Sequence, residues 1–492
     1  MRVYNGSDKN EEATYAEHES FTDLLWRCDD GNVNDYKQIH NITLTRKQWI
    51  YRGEGNANLV ISLPKEKVIV RLQKLEYDVI ISSSLLEERE KQLMRDVEFY
   101  RKVMISFLGT AFFHPPILAR INEHEVFEID KKLFTIRPKF RLSKGIRLGL
   151  VSIHPDYTHL PPVVNTLPPT IIYNESHLIM ETSPTYCIEI KPKQGWIPLL
   201  DRKHPKCTFC MNQYLKVMKK RVLGISQYCP LDLFSGNILR MKRAIRNLLL
   251  NPQNNLKIFK NGNLVLSDDC ELSYLEVLID FFQLGGNNDI NIDRLVDRWC
   301  SLVVACLCTR LTNTQSSKNS YFSNDIVTTQ LLPYQISKST FSPLNGHIKS
   351  CDWSSQNLPT NSILQRILKV QQLQNSKFST VCSHYKERCT TEKDYSYLDS
   401  LLDSDGNIDV IQRYLLATTA KDCSIFIALQ STVKLDLPYK MYYIKDCEGR
   451  EYRLNIGISD IDPKPLSCIG KHIKRDQEIL FAVMHFINHS GD

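Results

Sequence analysis

The chain has 492 residues, 62 of them Lys or Arg and 55 Asp or Glu, giving a net charge of +7, and 42% of it is hydrophobic. That is too long for one ordinary domain and balanced enough to bury a sizeable core, so a soluble protein of two or three domains, or one large two-lobed enzyme, is expected. No apolar run approaches the ~18 residues of a membrane span. Fifteen scattered cysteines follow a polar start without an apolar leader, which points to free thiols in the cytoplasm or nucleus rather than a disulfide framework.

Residues 1–45 read as a polar extension with one short helix candidate, "FTDLLWRC". "NLVISL" and "KVIVRLQ" are β-branched runs split by "PKE", a strand–turn–strand signal. In the next stretch Leu86, Leu93, Val97, Tyr100 and Met104 recur at helical spacing after serines that can cap. Strands around one long helix make an α+β lobe, taken as 46–182. "HLIME" and "CIEIKPK" are strand candidates joined by the turn "TSPT". "ILRMKRAIRNLLL" reads as a helix that stops at Asn251-Pro252. "LKIFK-NG-NLVLS" is a hairpin, with Asn261-Gly262 as a type I′ turn. Residues 312–362 are rich in Ser, Asn and Thr and read as a low-order insertion within a larger lobe, 183–492. Helices over "ILQRILKVQQLQ" and "VIQRYLLATTA" and strands over "CSIFIAL" and "YRLNIGISDID" follow.

The stretch "CIEIKPKQGW" poses a question. As a strand it would put Glu189, Lys191 and Lys193 on one face, since successive side chains alternate. Two neighbouring ammonium groups repel each other unless an anion joins them, so the arrangement suits a phosphorylated ligand. The bland alternative is a sheet edge guarded by lysine, with Pro192 at its end. From Lys191 to Ser267 there are fifteen Lys and Arg and only two acids, Asp201 and Asp232, a positive field suited to a polyanion.

Other stretches could serve the same ligand. Gly53 and Gly55 in "YRGEGNAN" could form a phosphate-covering turn, though the pattern falls short of both the Walker loop and the kinase glycine loop. Arg71, on the next strand, could grip phosphate oxygens. Asn254 and Asn255, with Lys257 behind them, offer amides that donate and accept beside a cation. Asp422 in "TAKDCSI" and Asp460 in "DIDPKP" are each expected at a strand end, where one could deprotonate an attacking hydroxyl and the other hold Mg²⁺.

Taken together, "RGEGNAN", "EIKPK", "CPLDLFSGN" with "NNLKIFKNG", "TAKDCSI" and "DIDPKP" resemble the inositol-pentakisphosphate 2-kinase family, in order from about residue 50 to about 475. The resemblance implies an α+β, two-lobed inositol polyphosphate kinase fold, distantly protein-kinase-like, with a small N-lobe and a larger C-lobe. It implies ATP and Mg²⁺ as cofactors and phosphorylation of the 2-hydroxyl of inositol 1,3,4,5,6-pentakisphosphate. Carried over residue by residue, Gly53, Glu54, Gly55 and Asn58 form the phosphate loop, and Arg71 replaces the usual kinase lysine. Met180 and Glu181 meet the adenine, and Lys257 lies near the nucleotide. Lys191 contacts the transferred phosphate. Arg137, Lys193, Lys216, Asn254, Asn255 and Lys464 bind the inositide. Asp422 is the base and Asp460 a magnesium ligand, with Asp422 beside it. Nucleic acid is not expected as the main ligand, and a monomer is.

The chain departs from the family at several points. Thr208 and Asn212 stand where related members carry an arginine and a histidine, leaving Asn212 as the substrate contact. The arginine and tyrosine expected after Lys464 are absent, and Lys471, His472 or Lys474 could substitute. His204, Cys207 and Cys210, and separately Cys382, His384 and Cys389, have ligand-like spacing. Neither run completes a four-ligand pattern, so free thiols are favoured over zinc. A non-catalytic inositide or RNA binder could use the same basic groove, but gains nothing from two carboxylates there. A protein kinase is disfavoured because the chain lacks His-Arg-Asp and Asp-Phe-Gly motifs.

Overall fold

The computed structural model describes Leu25 and residues 39–161, 183–268, 270, 272–284, 290–311, 351–354, 356–403, 408–432 and 442–489. The chain divides into two compact units, residues 1–106 with 113–175 and residues 107–112 with 176–492. Each has its own six-stranded sheet and its own helices, so the fold is α+β.

The first unit contains β1 (His40–Asn41), β2 (Ile50–Glu54), β3 (Asn58–Leu63), β4 (Val68–Glu76), β5 (Ile117–Arg120) and β6 (Lys144–Pro155). They lie in the order β1-β5-β6-β4-β3-β2, antiparallel except for β1 beside β5. β3 and β4 are the expected strand–turn–strand, with Leu63 opposite Val68. Period-two alternation buries Leu59 and Ile61 on β3, and Val70 and Leu72 face the same core from β4. Helix α1 (Ser83–Glu98) starts where Ser82 Oγ accepts from Leu85 N at 3.2 Å, then continues through a wider turn over Phe99–Met104. It buries Leu93, Val97, Tyr100 and Met104 as expected, but Leu86 stays 44% exposed. Helical spacing defines a face without fixing where along the helix the core begins. Helix α2 (Glu123–Phe134), capped by Asn122, was not legible in the sequence; it buries Val126, Ile129 and Leu133. Of "FTDLLWRC" only Leu25 is described, buried in this core.

The second unit contains β7 (Thr185–Ile190), β8 (Leu256–Lys260), β9 (Asn263–Leu266), β10 (Ser424–Ser431), β11 (Tyr442–Lys445) and β12 (Glu451–Ser459), all antiparallel in the order β11-β12-β10-β7-β8-β9. Its longer helices are α3 (Thr208–Met218), α4 (Ile238–Leu250), α5 (Tyr274–Phe282), α6 (Ile292–Cys308), α7 (Ile363–Gln371), α8 (Phe378–Arg388), α9 (Tyr397–Asp403), α10 (Val410–Asp422) and α11 (Cys468–His489). The hairpin turn has Asn261 at φ 48° and Gly262 at φ 75°, the two positive values a type I′ turn requires. α4 ends at Leu250, before Asn251-Pro252, as the proline dictates. No helix among the described residues is long and apolar enough to cross a membrane.

Four expectations change. β7 is an interior strand, hydrogen-bonded to β10 on one side and β8 on the other, so the guarded-edge alternative fails. It also ends at Ile190, so Lys191 and Lys193 lie on the exit from the sheet rather than on its alternating face. Asp422 closes helix α10 one residue before β10, instead of ending a strand. The end of the supposed low-order insertion packs: Asn357 N donates to Ser235 O at 3.1 Å, and Ser362 caps α7. Residues 312–350 lie outside the described residues, as do "HLIME", Met180 and Glu181.

The basic tract is also less concentrated than its composition suggests. Lys242, Arg246 and Lys260 pair with Asp297, Asp293 and Asp280 at 2.5–2.7 Å, while Arg240 and Arg243 share Asp232. Acids far away in sequence neutralise part of the tract, and a local count of charges does not see them.

Candidate active site

Pairing register gathers the site. Ser424 of β10 pairs with Ser459 of β12, Ile425 with Ile190 of β7, and Ile190 with Leu256 of β8. One end of the sheet therefore receives the exit of β7 into Lys191, the exit of β12 into Asp460, and the entries to β10 and β8 from Asp422 and Asn255. Four segments separated by up to 269 residues meet because antiparallel strands in that register start and stop together.

The side chains there form one charged cluster. Lys193 Nζ lies 3.3 Å from Asp422 Oδ1, and Lys464 Nζ donates to Asp422 Oδ2 at 2.9 Å. Lys191 Nζ lies 3.3 Å from Asp460 Oδ2. Ser424 Oγ is 3.0 Å from both Glu189 Oε1 and Asp460 Oδ2, so its single proton serves one carboxylate at a time. Glu189 and Ser424 were the strand carboxylate and a motif neighbour in the sequence. Only the structure shows that Ser424 sits between Glu189 and Asp460.

Burial alone would raise the Asp422 pKa, but Lys464 and then Lys193 outweigh it and bring the carboxyl down to about 2. Lys191 is pushed down by burial and raised further by Asp460, Glu189 and Asp422, so it stays charged. Lys216 Nζ donates to Gln253 Oε1 at 3.0 Å; burial first, then the nearby Lys193, lowers its pKa. Lys193, Asn254 and Asp460 all have left-handed backbones, with φ of 61°, 60° and 60°. Such conformations cost about 1–3 kcal/mol each and persist where surrounding contacts enforce them, which is common at functional sites.

Other expected contacts are placed differently. Asn255 is buried, and its Nδ2 donates to Gln253 O at 3.0 Å while its carbonyl accepts Lys191 N at 2.9 Å. It braces the loop, while Asn254 is exposed. Lys257 sits on β8 opposite Glu189. Asn212 is half-buried on α3, and Lys471 is exposed on α11. His472 is held neutral in this conformation: burial first, then Arg475 and Lys421, lowers its pKa to about 3, and Tyr414 OH lies 2.9 Å from its Nδ1.

In the first unit Gly53 has φ 150°, a conformation L side chains rarely adopt, at a bulge in β2, and Gly55 N donates to Asn58 O at 2.8 Å. Glu54 points inward. Its carboxylate accepts from Arg137 Nε and Nη2, each at 2.8 Å, and from Lys74 Nζ at 2.5 Å. Arg137 is thus a buried partner of the loop glutamate. Arg71 is 9% exposed, on β4 between Val60 and Ser152.

A second centre assembles from one expected cysteine pair. The sulfurs of Cys207, Cys210, Cys229 and Cys351 lie within 4.8 Å of one another. His204 is not among them, and the Cys382–Cys389 run forms no such group among the described residues. Four thiolates at this spacing are the donor set of a closed tetrahedral zinc site. The sequence reading favoured free thiols because Cys229 and Cys351 arrive from distant segments.

The inositol-pentakisphosphate 2-kinase family profile matches residues 51–478. An inositol-pentakisphosphate 2-kinase of Danio rerio is 27% identical over 479 residues, 89% of this chain and 93% of the relative. The Arabidopsis thaliana enzyme of that name is 25% identical, over 88% of this chain and 92% of its own. The Drosophila melanogaster one is 29% identical over 46% of this chain and half of the relative. The matched span runs from the glycine turn through the sheet-end cluster to α11, and the chain belongs to the inositol-pentakisphosphate 2-kinase family.

Proposed function

We propose that the protein transfers the γ-phosphoryl group of ATP to the axial 2-hydroxyl of inositol 1,3,4,5,6-pentakisphosphate, yielding inositol hexakisphosphate. The observation that carries this reading is the meeting of Asp422, Asp460, Lys191, Lys193 and Lys464 at one sheet end. Asp422 is ionised at neutral pH and accepts the hydroxyl proton. Lys193 and Lys464 hold it in place and turn to the substrate phosphates as these bind. With its partners drawn away, the carboxylate becomes a stronger base when the hydroxyl arrives. Lys191 faces the transferring phosphoryl group, and Lys216 and Asn254 take inositide phosphates. Asp460, with Asp422 beside it, would hold the Mg²⁺ that neutralises charge between the ATP phosphates.

In the first unit the Gly53–Gly55 turn, Asn58 and Arg71 would meet the ATP phosphates. Arg137 could reach an inositide only by leaving Glu54. Lys471 and Asn212 are further inositide contacts in this reading, and the enzyme is a monomer of the cytoplasm or nucleus. A mere polyanion binder would be weakened by two carboxylates among its lysines, which argues for chemistry at the site.

Incubation with γ-labelled ATP and a panel of inositol phosphates tests the proposal. Label should appear on the pentakisphosphate, at position 2. Label on another isomer, or none at all, would sink it.

A further inference from the structure

The loop that carries Lys191 and Lys193 has little reason of its own to hold its shape. It leaves the sheet at Ile190, passes through Pro192, and turns through a left-handed Lys193 with φ 61°. Lysine has no short side-chain group to support that backbone locally, so the support must come from elsewhere in the fold.

It comes chiefly from Gln371, the last residue of α7, which is fully buried. Its Oε1 accepts Gly195 N at 2.8 Å and Trp196 N at 3.2 Å. Its Nε2 donates to Lys193 O at 3.0 Å and to Ala420 O at 3.2 Å. Both donors and both acceptor positions of the amide are used, and turning it over would set oxygen against two carbonyls. Ala420 lies two residues before Asp422, on the last turn of α10. One buried amide therefore grips the backbone of Lys193 and the helix end that presents Asp422, whose side chains stand 3.3 Å apart.

A second glutamine makes the same connection. Gln374 O accepts Trp196 Nε1 at 3.4 Å, and Gln374 Oε1 accepts Lys421 Nζ at 2.5 Å. The rest of the loop is equally fixed. Tyr228 OH donates to Pro192 O at 2.8 Å, and Gln356 Nε2 donates to Gly195 O at 2.6 Å. Gly195 admits no side chain, because a Cβ there would meet the Phe234 ring at 2.2 Å.

We propose that Gln371 is a positioning residue for the phosphotransfer reaction: its amide holds Lys193 in the left-handed conformation and sets the separation between the Lys193 ammonium and the Asp422 carboxylate. This rests on the functional reading above, in which Lys193 binds the inositide and Asp422 takes the proton. Preorganisation of this kind matters because displacements near 1 Å are felt strongly in rate.

The test is a kinetic cycle with Gln371→Met, which keeps the side-chain length and removes all four hydrogen bonds, Lys193→Ala, and the double variant. Gln371→Met should raise the KM for inositide and lower kcat, together costing roughly ten- to a hundredfold in kcat/KM, while the KM for ATP stays within about twofold. In the Lys193→Ala background the same change should alter the inositide KM by less than about twofold, since the residue it positions is gone. Gln371→Glu keeps the acceptor for Gly195 and Trp196 but cannot donate to Lys193 O when ionised. It should show the same selective loss, and it decides the matter if Gln371→Met does not fold. Equal losses in both backgrounds, or parallel shifts in the KM values for ATP and inositide, would mean a merely structural role and overturn the proposal. If Lys193→Ala alone leaves the inositide KM unchanged, the functional reading has failed instead.

Discussion

Two carboxylates that each sit between two cations, one in each unit, differ in exposure. In the first unit Glu54 sits between Arg137 and Lys74, and all three side chains are 0–2% exposed. In the second unit Asp422 sits between Lys193 and Lys464, with exposures of 57%, 27% and 21%. The buried trio is closed: the Glu54 oxygens are taken by Arg137, Lys74 and, at 3.2 Å, Tyr51 OH. Its charges hold one another and the glycine turn. The open trio keeps lone pairs and ammonium protons available, so its cations can exchange a protein partner for a phosphate. The same residue chemistry thus serves architecture in one place and, in the proposed function, a ligand in the other, and burial separates the two.

Substituting the two central acids separates these roles. Asp422→Ala should lower kcat by about 10²–10⁴-fold. The inositide KM should hold or fall, because a negative charge has left a polyanion site. Its effect on stability should stay near 1 kcal/mol or below, as for other exposed ion pairs. Glu54→Gln should do the reverse, destabilising the first unit by about 3–5 kcal/mol because two buried cations lose their partner. Urea titration of both variants checks the contrast, and equal destabilisation by the two changes would break it. Metal removal is expected to have the next largest effect. Purified protein should carry about one zinc per chain on the four cysteines, and its removal by chelator should lower the unfolding midpoint. Metal analysis showing none would return these thiols to simple packing. Lys193→Ala comes next, raising the inositide KM by roughly tenfold while leaving the ATP KM within about twofold, an effect that should shrink at high salt.

Much of this was legible in the sequence where the signal is local. The Asn261-Gly262 turn, the stop of α4 before Pro252, and the β3–β4 pair follow from backbone chemistry within a few residues. Asp422, Asp460, Lys191 and Lys193 were named as a set, and the structure brings them to one sheet end. What could not be read is whatever depends on distant partners. Arg137 looked free to bind a ligand, yet Glu54, 83 residues earlier, holds it. Cys207 and Cys210 looked incomplete because Cys351 lies 144 residues beyond Cys207. His472 looked like a cation until its burial was visible. Gln371 carried no signal at all, since an amide near a helix end is ordinary until its four partners are seen.

The smallest expected effect is also the finest probe of the open trio. The Asp422 carboxyl is lowered from an ordinary 3.8 to about 2 because Lys464 and Lys193 outweigh its burial. A depressed folded value means that the ion pairs stabilise the protein above the unfolded pKa, and that this contribution is lost as pH falls through the folded one. The window is therefore about pH 4 down to about 2. Solvent reaches more than half of the Asp422 side chain, so only a fraction of the shift should appear as stability. Across that window the difference in urea midpoint between the wild type and Asp422→Asn should narrow toward zero as the wild-type carboxyl gains its proton. A saturating inositol polyphosphate should shrink the difference at pH 5 as well, because its phosphates draw the two lysines from the carboxylate. If the ligand leaves that difference untouched, Lys193 and Lys464 do not exchange Asp422 for phosphate, and the open trio is as fixed as the buried one.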